Sequence, residues 1–254
     1  MATQGSNMRS LDRAFDLLAV LQSAKQPLRL SEIARRSGLH IATGQRILNV
    51  LLDRGYAARA GDFYTAGPAA LAVAHAFMVT NPLSLLAQTT LQQLAATTGF
   101  TASLYVRVED SRVLVARVES ESPLSYVLPV GERLPLHLGG AGKIFLAEMA
   151  RDEIESILPD DETIRLASGK TTSKSELGAE LEKIRSQGHA FSVGERSFGI
   201  ASIAAPVRSS DATLVAVLGI TGPAEDFVEP QIGRLTTEVR RAAIALGART
   251  PSAG

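Results

Sequence analysis

The sequence predicts an α+β protein in two parts. Three observations carry this. Apolar residues recur at helical spacing from Ser10 to residue 98, with a short helix-turn-helix and a hairpin inside that stretch. From Phe100 the period of the pattern changes to two. Helical patterns then return between strands, so helices group around an antiparallel sheet of about six strands.

Residues 1–8 are expected to be disordered. Leu11, Phe15, Leu18 and Leu21, with Ala14 and Leu17, give residues 10–23 one apolar helical face. Residues 30–54 read LSEIARRSGLHIATGQRILNVLLDR. A helix is expected over 31–37 with Ser31 as its N-cap. Gly38 suits the left-handed position that ends it. A longer helix is expected over 40–53, with Ile47, Leu48, Leu51 and Leu52 facing a core. Thr43, Gln45, Arg46, Asn49 and Asp53 fall mostly on its other side. Thr, Gln, Arg and Asn can reach the edges of bases, and this spacing is that of a helix-turn-helix. An ordinary helical hairpin in a core fits the segment equally well. The following hairpin, 56–59 and 63–65 around Ala60-Gly61-Asp62, reads as a wing and tips the balance toward DNA.

Pro68 starts a helix that is apolar nearly all round, PAALAVAHAFMVT. Such a helix must be buried by something. It is read as an inter-domain linker with a dimer contact. Asn81-Pro82 breaks it and opens the next helix, which Gly99 ends. Strands are expected at 100–108 and 112–119 around Glu109-Asp110-Ser111, then at 124–130, 189–193, 199–207 and 213–221. The loop 138–142 opens a helix, 151–158 is a short acidic helix, 173–187 is amphipathic, and 227–246 closes the chain.

Composition narrows the function. With 45% hydrophobic residues, the 254-residue chain can bury a substantial core. It has no Cys, and its four His are far apart, so no disulfide, metal site or cofactor is expected. No uninterrupted apolar run reaches the ~18 residues of a membrane span, and the first ten residues lack the apolar core of a secretion signal. A cytoplasmic protein is expected. Net charge is zero but uneven. Residues 1–77 hold nine Lys and Arg against five Asp and Glu, and residues 78–254 hold 17 against 21. A basic part in an otherwise acidic chain points to contact with a polyanion.

The loop Gly139-Gly140-Ala141-Gly142 is the most suggestive chemistry in the second part. Amide groups at a helix start attract anions. A P-loop is excluded by His137 and Ile144, and no βαβ unit surrounds the loop as a dinucleotide site needs. A small carboxylate fits better, and so does a plain packing turn. Strand residues Ser192, Ser202, Gly219 and Thr221 put hydroxyls beside small side chains, which can line a polar cavity or simply occupy strands. Tyr105, Tyr126, Phe145 and Phe191 are the aromatic residues nearest this pocket. No G-x-S-x-G elbow is present. His137 and His189 lack sequence-local partners, and Glu195-Arg196 reads as an internal ion pair.

The ordered set SLDRAFDLLAVL, LSEIARRSGLHIATGQRIL, DFYTAGPAALAVAHAF, VGERLPLHLGGAGKIFLAE, ELEKIRSQGHAFSVGERSFGIASIAAPV and VLGITGP resembles an IclR-family transcriptional regulator over residues 9–248. The resemblance implies a winged helix-turn-helix at 9–67, a linker helix at 68–80 and a GAF-like effector-binding domain at 81–249. It implies a homodimer or tetramer on a palindromic operator of double-stranded DNA. The effector would be a small carboxylate or aromatic acid. DNA contacts are expected from Ser31, Arg35, Arg36, Ala42, Thr43, Gln45, Arg46, Asn49 and Arg59. Ligand contacts are expected from Gly140, Ala141, Ser192, Ser202, Gly219 and Thr221. Some relatives carry Asp, Cys and Ser where this chain has Ser192, Ser202 and Gly219, so their ligand does not carry over. Gly44 inside the recognition helix costs about 1 kcal/mol relative to Ala, either to let DNA approach or without consequence. Two other readings stand beside this one. One is an enzyme acting on a small carboxylic acid derivative, with an N-terminal dimerisation domain. The other is an architectural DNA-binding protein without a ligand, which a filled second domain would favour.

Overall fold

The computed structural model describes residues 4–120, 128–158 and 163–250, with side chains from Met8. The chain forms two compact units, Met1–Thr80 and Asn81–Gly254.

The first unit runs α1 (Gln4–Ser23), β1 (Leu28–Arg29), α2 (Leu30–Arg36), α3 (Ile41–Asp53), β2 (Ala57–Ala60), β3 (Phe63–Ala66) and α4 (Ala69–Thr80). The three short strands pair in the order β1-β3-β2. Leu17, Val20 and Leu21 of α1 pack with Ile33, Leu48, Leu51 and Tyr64 to make the core. Three expectations change here. Helix α1 begins at Gln4, inside the segment expected to be disordered. Its early apolar residues do not reach the core: Leu11 and Phe15 are exposed. Ser31 is not a cap. Helix α2 starts one residue earlier with Arg29 at the cap position, and no side chain bonds there. Gly38 does take a positive φ, +66°, as the turn between α2 and α3 requires. No residue of α4 is buried.

The second unit runs α5 (Pro82–Thr98), β4 (Thr101–Val108), β5 (Ser111–Val118), β6 (Arg133–Pro135), α6 (Gly140–Ala147), α7 (Arg151–Ile157), β7 (Thr163–Arg165), β8 (Thr171–Ser173), α8 (Lys174–Gln187), β9 (Ala190–Val193), β10 (Ile200–Arg208), β11 (Leu214–Pro223) and α9 (Gln231–Gly247). Asn81 caps α5 by accepting from the Ser84 amide at 3.2 Å, and Ser173 caps α8 in a capping box with Glu176. Six strands form one antiparallel sheet in the order β6-β5-β4-β11-β10-β9. One face packs on α5 and α9 through Leu91, Leu104, Ile203, Leu218 and Leu235. The other packs on α6 and α8 through Leu114, Leu136, Ile144, Leu177 and Val217. The central strands β4, β11 and β10 therefore bury both faces along much of their length.

The strand expected at 124–130 is corrected. Residues 121–127 lie outside the described residues, 128–130 are not strand, and β6 takes the edge position instead. The small β7–β8 hairpin had no sequence signal beyond short Thr-rich runs. The last helix begins at Gln231, four residues later than its apolar pattern, because Pro230 occupies the position before it. The β4–β5 ladder carries a bulge. Leu104 pairs with Ala116 and Tyr105 with Leu114, which leaves Val115 unpaired.

Candidate functional site

The first unit presents α3 in the manner of a recognition helix. Ala42, Arg46 and Asn49 are exposed, and Thr43 and Gln45 are half-buried. Gln45 donates to the Asn49 side chain at 2.8 Å, which orders two base-reading groups as a pair. Arg46 has no hydrogen bond or ion pair among the described residues. Gly44 is buried, and a Cβ there would sit 3.7 Å from Ala34 Cβ. It faces α2, so it serves the packing of the two helices and not an approach to DNA.

Ser31 is exposed at the start of α2. Arg35 and Arg36 are exposed but not unpaired. Both grip Glu32, at 2.7 Å from Arg35 Nη2 and 2.6 Å from Arg36 Nε. Hydrogen bonds from the two guanidiniums hold the Glu32 carboxyl down to about 2. On the wing, Arg59 donates from Nε to Gly61 O at 2.7 Å and lies 5.4 Å over the Tyr64 ring.

In the second unit the six expected ligand residues all line one cleft. The register explains their convergence. Ser192, Ser202, Thr221 and Thr101 lie opposite one another across β9, β10, β11 and β4, giving a row of four hydroxyl residues. The next row on the same face is Ala190, Ala204, Gly219 and Ser103, whose small side chains keep the floor open.

The loop before α6 forms the wall, and it is already partly satisfied. The Gly139 amide donates to Glu195 Oε2 at 2.8 Å, and the Gly140 amide donates to Ser192 Oγ at 3.2 Å. Ser192 and Ser202 hydroxyls are 3.0 Å apart. The Ala141 amide carries no hydrogen bond among the described residues. Glu195 is thus a resident anion at a helix start. Its other oxygen accepts from buried Lys143, whose Nζ also donates to Glu180 at 2.7 and 2.8 Å. The internal ion pair of Glu195 is with Lys143.

Sequence reasoning missed Arg112. It lies on β5, where a charged residue in a strand gives no signal of its own. It is 3% exposed and lines the cleft. Its Nη1 donates to Pro135 O, and its guanidinium lies 5.6 Å over the Tyr105 ring. Its Nε has no partner, and no carboxylate is within ion-pair distance among the described residues. Burial lowers its pKa to about 10, with Arg196 adding to the effect and Tyr105 and Glu195 opposing it. Arg112 is therefore a cation at neutral pH, buried without a counter-charge, and such groups cost several kcal/mol unless paired. Gly142 is dictated by it: a Cβ there would lie 2.3 Å from Arg112 Nη1 and 2.3 Å from Leu136 O. His137 is held below its ordinary value by burial and by Arg112, so it is neutral at pH 7. Of the aromatic residues expected near the pocket, only Tyr105 lines it. Phe145 is in the core under α6, Phe191 packs against the opposite core, and Tyr126 lies outside the described residues.

A winged helix-turn-helix unit joined in one chain to a unit with a polar, cationic cleft defines a DNA-binding regulator with an effector-binding domain. Comparison with known proteins identifies which. A helix-turn-helix domain model of the IclR type matches residues 10–61, and the model of the bacterial transcriptional regulator IclR C-terminal domain matches residues 75–248. The chain belongs to the IclR family of bacterial transcriptional regulators, which are not enzymes. It is 29% identical over 244 residues to the HTH-type transcriptional regulator BhcR of Paracoccus denitrificans, covering 95% of this chain and 87% of that one. It is 31% identical over 222 residues to the glycerol operon regulatory protein of Streptomyces griseus, covering 86% of each. An IclR transcriptional regulator from Alicyclobacillus acidocaldarius shares the fold at a TM-score of 0.82 and 23% identity, over 95% of this chain and 98% of that one. An IclR homolog from Microbacterium hydrocarbonoxydans, complexed with 4-hydroxybenzoate, matches at a TM-score of 0.77 and 21% identity, over 94% and 98%.

Proposed function

We propose that this protein binds a palindromic operator in the cytoplasm as a homodimer or tetramer, and that a small carboxylate in the cleft of its second domain sets the operator affinity. Residues 9–67 read the DNA, 68–80 link, and 81–249 hold the effector in a GAF-like domain. Arg46 and Gln45 read bases, with Asn49 ordering Gln45. Thr43 and Ala42 meet a phosphate or a thymine methyl, and Ser31, Arg35, Arg36 and Arg59 meet the backbone. The single observation that supports the carboxylate is Arg112, a buried cation without a carboxylate partner, beside the Ala141 amide and the Ser192–Ser202 hydroxyls. An aliphatic acid is favoured over an aromatic one, because the one lining ring among the described residues, Tyr105, already has a guanidinium over it.

A ligand shifts the DNA equilibrium only as far as it prefers one conformation. Effector contacts would re-pose the linker helix and with it the spacing of two winged helices, which half-sites on one DNA face make decisive. The test is operator binding by the full-length protein on the DNA beside its own gene, with and without saturating acid. Arg46→Ala should cost ~1–3 kcal/mol and relax sequence preference. Unchanged affinity and preference would refute the assignment of α3. An architectural protein without a ligand is disfavoured by the buried, unpartnered Nε of Arg112 at the cleft.

A further inference from the structure

The effector's chemistry can be narrowed by a second arginine, in an argument that rests on the carboxylate reading above. Arg117 follows Arg112 on β5 by five residues, an odd spacing that in a regular strand sends two side chains to opposite faces. The unpaired Val115 reverses the alternation. Arg112 lies opposite Arg107 and Arg117 opposite Ser103, and those two β4 residues are four apart and share a face. Core packing agrees: Val113, Val115 and Ala116 belong to the α5–α9 side, whereas Leu114 belongs to the cleft side. Measured along β4, the two arginine backbones are roughly 13 Å apart.

The Arg117 side chain is 7% exposed. Its Nη1 donates to Leu128 O at 2.8 Å, and its Nη2 is 3.6 Å from the half-exposed Glu119 carboxylate. Its Nε, like that of Arg112, is buried with no partner among the described residues. Arg117 lines a second hollow with Thr101 and Ser103. That hollow and the Arg112 cleft adjoin, with Tyr105, Arg196, Ile200 and Thr221 lining both. Of the guanidiniums lining these two hollows, those of Arg112 and Arg117 each leave a buried Nε without a partner among the described residues. Glu195, beside the Arg112 cleft, is already engaged by Lys143 and the Gly139 amide. A ligand with one carboxylate could meet only one of the two.

We propose that the effector is a short-chain dicarboxylate, with one carboxylate at Arg112 beside the Gly139–Ala141 loop and the other at Arg117 beside Thr101 and Ser103. The test uses the full-length protein and calorimetric titration at fixed ionic strength. Each diacid is paired with the monoacid of equal length: succinate with butyrate, glutarate with valerate, adipate with hexanoate. A hydrogen-bonded charge gained at Arg117 predicts that the best diacid binds about ten- to a hundredfold tighter than its monoacid. Arg117→Gln should bring the diacid down to the monoacid's affinity, and Arg117→Lys, which keeps the charge, should retain part of the difference. Circular dichroism and a thermal melt check that each variant folds. The wild-type comparison stands even where a variant fails to fold. Equal affinity within every pair overturns the dicarboxylate and leaves the single-carboxylate reading intact. A folded Arg117→Gln that keeps the full difference overturns the role of Arg117. Absence of binding by either kind of acid overturns both readings.

Discussion

Replacing Arg112 with Met separates a ligand-binding cation from a structural one. The Met side chain fills similar volume and removes the charge. Burial lowers the Arg112 pKa from its ordinary value to about 10, and that displacement corresponds to about 3 kcal/mol of destabilisation. The sign follows from the group. A base whose folded pKa is depressed is a cation in both states at pH 7, and the folded state bears the full cost there. The cost fades only as pH rises past about 10, where the folded form loses its proton. Against this stand two losses. The bond to Pro135 O is worth ~1.5 kcal/mol, at the low end for a charged donor because Pro135 is exposed and water replaces it. The contact over Tyr105 contributes about 2 kcal/mol, because both groups are buried. The ligand-free second unit should therefore change in stability by no more than about 1 kcal/mol either way. That corresponds to a midpoint shift of at most roughly 4 °C, read by calorimetry on the full chain. Saturating carboxylate should raise the wild-type midpoint by mass action and leave the variant's unmoved. A variant destabilised by 2 kcal/mol or more would show that Arg112 holds the fold together, and the argument from an uncompensated charge would fail.

Glu32→Gln should release Arg35 and Arg36, raising affinity for non-specific DNA and steepening its salt dependence by about one to two phosphate contacts; an unchanged slope in fluorescence anisotropy would show that neither arginine reaches the backbone. Lys143→Met leaves Glu195 buried without its counter-charge and should destabilise the second unit by about 3 kcal/mol in urea. The double variant with Glu195→Gln should recover part of that loss, and no recovery would refute the ion pair as its cause. His137 is neutral in the fold at pH 7, so its depressed folded pKa costs stability once pH falls below about 6.5, where the unfolded chain gains a proton first. His137→Gln should flatten the decline of thermal midpoint below that pH, and an unaltered pH profile would refute it.

Much of this architecture was legible because it is written in local patterns. The helix-turn-helix follows from two apolar periodicities and Gly38, and the strand-to-helix loop from clustered glycines. The convergence of Ser192, Ser202, Gly219 and Thr221 in one cleft follows from strand alternation, once the strands pair in register. What was not legible depends on which strand lies beside which. Arg112 and Arg117 look like solvated charges in a hairpin; only the packing of α6 and the β9–β10 loop over that hairpin buries them. Ser31 satisfies the composition rule for a cap, yet the extended backbone at Arg29 lets β1 pair with β3 and moves the helix start back by one residue. The grip of Glu32 on both Arg35 and Arg36 was readable in principle from their i, i+3 and i, i+4 spacing.

The unpaired Val115 has a consequence for comparing this protein with its relatives. Position-by-position alignment treats Arg117 as a fixed distance from Arg112, but what matters is parity. A relative with the same five-residue spacing but no bulge turns the second arginine into the α5–α9 core, where it could not be tolerated, and selection would replace it with an apolar residue; one that lacks the extra residue altogether keeps both arginines on the cleft face. Ligand preference in such a cleft can thus change with the bulge, with every other lining side chain unaltered. The same holds for engineering. Deleting Val115 alone would rebuild the cleft on a regular strand with Arg112 and Arg117 still on one face, and the length of acid it prefers would report the lost twist.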